Sequence, residues 1–212
     1  MLSRLQHWLR LGAFGCAFLA CSPQLCATTY NVVIKSPGFA SAHVQLAFDL
    51  TGSGFGTNMV TLSPIASDGI QGPTSTTGNV SGTGPWLFSD TEFFNELLID
   101  FDPLGTTMSF SFDTSGILGG GFPAAFTFFV LDPNPLDPLY PFLITTNGPG
   151  NALFEVDLNG SGADDLTVYT PDQEGYFTQV TAVAVPEPGS VPLLAAGIVA
   201  FFLRRRFKLA PR

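Results

Sequence analysis

The chain has 212 residues, of which 45% are hydrophobic and 12% charged, and its formal net charge is −9. Between Thr28 and Val185 sixteen acids face a single base, Lys35, so that segment alone carries a net charge near −15. Such a surface repels nucleic acid and excludes it as a partner. The 21 phenylalanines exclude a disordered chain, because disordered segments lack the apolar surface to fold.

The first 27 residues read as an export signal. Arg4 and Arg10 precede an uncharged run from Leu11 to Ala20, which is long enough for a signal-peptide core and too short to span a bilayer. Pro23 breaks the helix, and Leu25-Cys26-Ala27 offers a small residue for cleavage before Thr28. A rival reading is a lipoprotein signal at Phe18-Leu19-Ala20-Cys21. Cleavage after Ala27 removes Cys16, Cys21 and Cys26, and these are the only cysteines. The mature chain then has no disulfide, thiol nucleophile or thiolate metal ligand.

From residue 28 to 185 the period is that of β-strands. Val44, Leu46, Phe48 and Leu50 share one face of a strand, and Met108, Phe110 and Phe112 share one face of another. Further strands are expected at Tyr30–Lys35, Asn58–Ser63, Leu97–Phe101, Phe126–Leu131, Phe142–Thr145, Leu153–Leu158, Leu166–Tyr169 and Tyr176–Val185. Phe126–Leu131 is apolar on both faces except at Thr127, which suits a central strand. The expected core includes Phe48, Phe110, Phe112 and Phe129. Gly- and Pro-rich breakers fill the gaps, such as Gly82-Thr83-Gly84-Pro85 and Asp132-Pro133-Asn134-Pro135. Asp90–Glu96 is the only stretch that reads as a helical turn, with an N-cap-like Asp and early acids. The pattern predicts an all-β, antiparallel β-sandwich of jelly-roll type.

Candidate chemistry is sparse. His43, the only histidine left after removal of the signal, precedes Gln45 and Asp49 on a polar strand face, but no Gly-x-Ser-x-Gly elbow presents a serine to it. Glu92, Glu96, Asp100 and Asp102 lie close in sequence and could pair for glycoside hydrolysis, or simply form a solvated rim around a Phe93/Phe94 anchor. Trp86, Tyr140, Tyr169 and Tyr176 could form a sugar-stacking platform. In Asp157-Leu158-Asn159-Gly160-Ser161-Gly162-Ala163-Asp164-Asp165, oxygen side chains stand at the first, third, fifth and ninth places, with glycine at the sixth. This resembles the start of an EF-hand-type calcium loop, with Asp157, Asn159, Ser161 and Asp165 as ligands. Val168 replaces the bidentate Glu at the twelfth place, and a plain hairpin loop is the competing reading.

The tail carries three signals in order. Pro186-Glu187-Pro188 holds the backbone extended, Val191–Leu203 is apolar, and Arg204, Arg205, Arg206 and Lys208 form a cationic stop. As a helix, Val191–Leu203 rises about 20 Å against about 30 Å of hydrocarbon, a short transmembrane helix. This arrangement resembles the PEP-CTERM sorting signal of Gram-negative exported proteins, which a membrane protease-transpeptidase, exosortase, recognises and processes. The resemblance implies recognition at Pro186, Glu187 and Pro188, with the cations held in the cytoplasm. Residues 28–185 also resemble one subgroup of such proteins, through Tyr30-x-Val32-x-Ile34, Ala47-Phe48-Asp49-Leu50, Phe93-Phe94-Asn95-Glu96, Phe126–Asp132 and Ala152–Leu158. That second resemblance brings no activity and no functional residues with it.

The expected organisation is a signal peptide (1–27), a β-sandwich ectodomain (28–185) and a sorting tail (186–212). The expected role is that of a non-enzymatic envelope or extracellular-matrix protein without a cofactor, apart from calcium at the 157–165 loop. It would pass transiently through the inner membrane and associate with surface polysaccharide. The alternative is a carbohydrate-binding or carbohydrate-active domain.

Overall fold

The computed structural model describes residues 25–52, 54, 58–117, 124–134, 136, 142–158, 165–172 and 179–185. Two antiparallel sheets face each other as a sandwich. The first sheet contains β1 (Leu25–Lys35), β3 (Met59–Leu62), β4 (Ala66–Ser67), β6 (Val80–Gly82), β7 (Trp86–Ser89), β9 (Thr107–Ile117) and β13 (Gln179–Val185), in the order β13-β1-β9-β3-β7-β6 with β4 also on β9. The second contains β2 (Val44–Thr51), β5 (Gln71–Thr77), β8 (Phe94–Phe101), β10 (Ala125–Leu131), β11 (Phe154–Asp157) and β12 (Asp165–Val168), in the order β12-β11-β10-β2-β8-β5. The chain changes sheet between most successive strands, so the core closes only when distant segments meet.

Strand alternation builds that core. Tyr30, Val32 and Ile34 of β1 are buried while Asn31, Val33 and Lys35 are exposed, and Asn95, Leu97, Ile99 and Phe101 of β8 are buried in the same period. The inward rings form one lattice between the sheets. Phe48 lies 4.8 Å from Phe128 and meets Phe110 edge-on at 5.3 Å, and Phe112 stacks on Phe154 at 5.6 Å. These rings exclude water and bring edge-to-face attraction beyond simple burial.

Several expectations need correcting. β10 is an interior strand as expected, but Phe126, Phe128 and Val130 supply its core face. Phe129 points to the other side, where it is half-buried against Phe142 at 5.8 Å. Phe142–Thr145 is no strand and makes a single bridge, Phe142 to Leu131. Asp90–Glu96 is no helical turn: residues 90–93 are a turn and β8 starts at Phe94. Asp90 is fully buried there, and its carboxylate accepts from the Asn58 backbone N–H at 3.1 Å and from Asn58 Nδ2 at 2.8 Å. That pairing replaces the helix-capping role expected of it. β4, β5, β6 and β7 are additional strands; β5 is exposed along its whole length and owes its place to pairing with β8.

The sandwich has two poles. One holds Gly52 and Asn58, the Gly78–Asn79 turn, the Asp90–Phe93 turn and the end of β11 at Asp157. β1 and β13 lie antiparallel, with Thr29 opposite Val185, so the chain enters and leaves the domain at this same pole. Leu25–Ala27 pair with residues 115–117, and cleavage after Ala27 would trim only that end of β1.

Candidate functional site

The outer face of the second sheet gathers carboxylates that the sequence leaves scattered. The strand registers align Thr167, Glu155, Thr127, Asp49, Glu96 and Thr77 in one row across six strands. Directly opposed residues on antiparallel strands stand roughly 5 Å apart at Cβ, so Asp49 and Glu96 are immediate neighbours. Burial, and then repulsion from Glu96, push the Asp49 carboxyl up from an ordinary 3.8 to about 7. Burial also raises Glu96. Asp49 Oδ1 is buried and makes no hydrogen bond. Asp49 therefore stands, raised to about 7, directly beside a second carboxylate.

The four acids read as one sequence cluster separate in space. Glu96 and Asp100 lie on β8, Glu92 in the turn at one end and Asp102 past the other end. At about 3.3 Å per residue, the length of β8 alone separates Glu92 from Asp102 by roughly 20 Å or more. Asp100 accepts from Gln45 Nε2 at 2.8 Å. His43 is exposed and lies just ahead of β2 rather than on its polar face. The Asp49–Glu96 pairing and the approach of Glu155 were not visible in sequence, because alternation gives the face of each residue and not its cross-strand partner.

Phe93 and Phe94 do not anchor the rim. Phe93 is 73% exposed and Phe94 is 39% exposed. The local anchor is Asn95, which is fully buried: its Nδ2 donates to the Leu50 and Glu92 carbonyls at 3.2 and 3.0 Å, and its Oδ1 accepts from the Asn79 N–H at 2.6 Å. Phe93 stands between two surface hollows. One, of about 330 Å³, is lined by Thr51, Gly52, Phe93, Ala124, Ala125, Glu155 and Asp157. The other, of about 580 Å³, is lined by Thr77, Gly78, Asn79, Glu92, Phe93 and Phe94.

Among the described residues, Trp86 and Tyr169 do not share an aromatic platform. Trp86 is buried in the core, at 3% exposure, and Tyr169 packs beside Gly148 at the edge of the other sheet. Burial and then Glu155 raise the Tyr169 hydroxyl. Tyr140 and Tyr176 lie outside the described residues.

β11 and β12 pair antiparallel, with Asp157 opposite Asp165 at the end of the ladder. Asp157 is exposed. Asn159 and Ser161 lie outside the described residues, as does the Asp165 side chain. Among the described residues no group of three or more His, Cys, Asp or Glu could hold a metal ion.

The tail begins directly after β13. Pro186, Glu187 and Pro188, the 191–203 run, and Arg204, Arg205, Arg206 and Lys208 lie outside the described residues. Among the described residues no helix is long and apolar enough to cross a membrane. Residues 184–206 match the family model of the PEP-CTERM protein-sorting motif. That span holds Pro186-Glu187-Pro188, the apolar run and the first three arginines of the stop. No curated protein and no solved structure matches the chain.

Proposed function

We propose that this PEP-CTERM protein is a structural or interaction component of the cell envelope or extracellular matrix, and that its β-sandwich works without catalysis. The motif at residues 184–206 marks an exported protein that transits the membrane and is sorted by exosortase. The observation that carries the proposal is the join between motif and domain. β13 runs to Val185 and shares only Ala184 and Val185 with the matched span, so cleavage at Pro186-Glu187-Pro188 or beyond costs the sandwich no strand. A folded, released or transferred ectodomain is then the product. Its surface is strongly acidic, and it would meet surface polysaccharide of a Gram-negative bacterium through hydrogen bonds from exposed Thr and Ser, as on β5, rather than through charge.

The second reading, a carbohydrate-active or carbohydrate-binding domain, draws on the Asp49–Glu96 pair, since a raised carboxyl beside a second carboxylate is the raw material of glycoside hydrolysis. Mass spectrometry of the secreted fraction, comparing wild type with an exosortase-deletion strain, tests the first reading. Loss of the protein from the medium and its build-up with the tail attached support it. Hydrolysis of the co-purified polysaccharide, abolished by Asp49→Asn, would decide for the second.

A further inference from the structure

The position where the chain leaves the sandwich limits how the domain can stand on a membrane. Five residues, 186–190, separate Val185 from the apolar run at 191–203. Fully extended, the six steps from Val185 to Val191 reach at most about 22 Å. While the tail is in the bilayer, the pole at which β13 ends is therefore held within that distance of the lipid surface. The same pole carries apolar side chains that the fold leaves uncovered. Val185 aligns with Thr29, Asp113 and Thr61 across the first sheet, and Met59 lies two residues, about 7 Å, further toward the pole. Met59 is 42% exposed on the outer face of the first sheet, the side away from Phe94; beyond it, past Ser89 and the buried Asp90, the turn presents Phe93 at the pole. Phe94 adjoins it on the outer face of β8.

From this geometry we infer that the pole bearing Phe93 and Phe94 is a membrane-docking surface, which seats the folded domain on the bilayer while the tail awaits processing. The inference rests on the tail reading above. Phe93, 73% exposed, is the main apolar contact, since a phenyl ring standing free of its own core partitions into the interfacial layer. Glu92, Glu155 and Asp157 line the hollows on either side of Phe93. Their charge selects the lipid: carboxylates beside an aromatic ring suit the ammonium group of a zwitterionic phospholipid and repel an anionic headgroup. Docking would also place the start of the tail at the surface in which a membrane-embedded processing enzyme resides. The opposite pole, which carries Ile70 at 64% exposure, faces away.

The tail-bearing protein can be purified from cells that lack the processing enzyme and reconstituted into vesicles of brominated phosphatidylcholine and phosphatidylethanolamine. Phe93→Trp places a reporter at the pole, and Ile70→Trp places one at the far end; the native Trp86 is buried in both variants. The expected result is co-flotation of both variants, a blue-shifted emission from the polar reporter of Phe93→Trp, and a several-fold larger loss of emission in Phe93→Trp than in Ile70→Trp. Replacing half the lipid by phosphatidylglycerol should reduce the loss in Phe93→Trp while flotation persists. Co-flotation with equal quenching of the two variants overturns this inference alone. Failure to float overturns the tail reading and this inference with it. If the Phe93→Trp reporter stays unquenched while Phe93→Asp slows tail removal in cells, the patch binds the processing enzyme, and the membrane assignment is wrong.

Discussion

Replacing Asp49 by Asn should make the domain more stable at pH 8 and flatten its pH dependence. The carboxyl is raised in the folded state from 3.8 to about 7, first by burial and then by Glu96 across the strand pair. Between those two values the folded protein binds more protons than the unfolded chain, so stability falls as pH rises. The penalty is absent below about 4, grows through the interval, and is complete above about 7. The full difference corresponds to roughly 4 kcal/mol, and the partial exposure of Asp49 reduces this to about 2–3 kcal/mol. For a domain near 160 residues, that is a melting-temperature gain of about 5–10 °C at pH 8 for Asp49→Asn, with almost no gain at pH 4. Thermal melts at half-unit pH steps measure it. Asp102→Asn removes the same formal charge from an exposed site and serves as the control. If Asp49→Asn keeps the wild-type slope between pH 4 and 7, or matches Asp102→Asn at every pH, Asp49 is not the buried, proton-holding group described here.

Phe48→Ala opens a cavity among Phe110, Phe126 and Phe128 and should cost about 3–5 kcal/mol in chemical denaturation, whereas Phe93→Ala should stay within about 0.5 kcal/mol. Asp90→Ala leaves the buried Asn58 amide without its carboxylate partner and should cost about 1–3 kcal/mol by the same assay. Millimolar calcium should raise the melting temperature more than magnesium does, and Asp157→Ala should abolish that difference if the 157–165 loop holds the ion. Equal effects of the two ions on wild type would reduce the loop to a turn.

The fold class and most of the core could be read from period-two alternation, because a half-buried strand has to alternate. Val44–Leu50 and Met108–Phe112 are such cases. β5 was invisible for the opposite reason: Gln71–Thr77 has no buried face, and pairing with β8 alone defines it. The stretch at 90–96 carries helix-start chemistry, but the long-range Asp90–Asn58 contact overrides that local preference. Phe129 misled because an apolar residue on the outer face of a central strand looks like core when another segment covers it. The sorting motif was legible, since it is a linear signal that needs no tertiary partner. The Asp49–Glu96 row was not, because it depends on strand order and register, which are set by contacts dozens of residues apart.

The central claim is that residues 184–206 route and release a self-contained β-sandwich. Its most direct test is to follow the tail of a Glu187→Ala variant, with deletion of Arg204–Arg206 as a second variant, through cell fractions by mass spectrometry. The account predicts that both accumulate in the inner membrane with the tail attached, while wild type loses the tail after β13 and leaves that membrane. Arrival of either variant in the extracellular fraction, trimmed as efficiently as wild type, would contradict it.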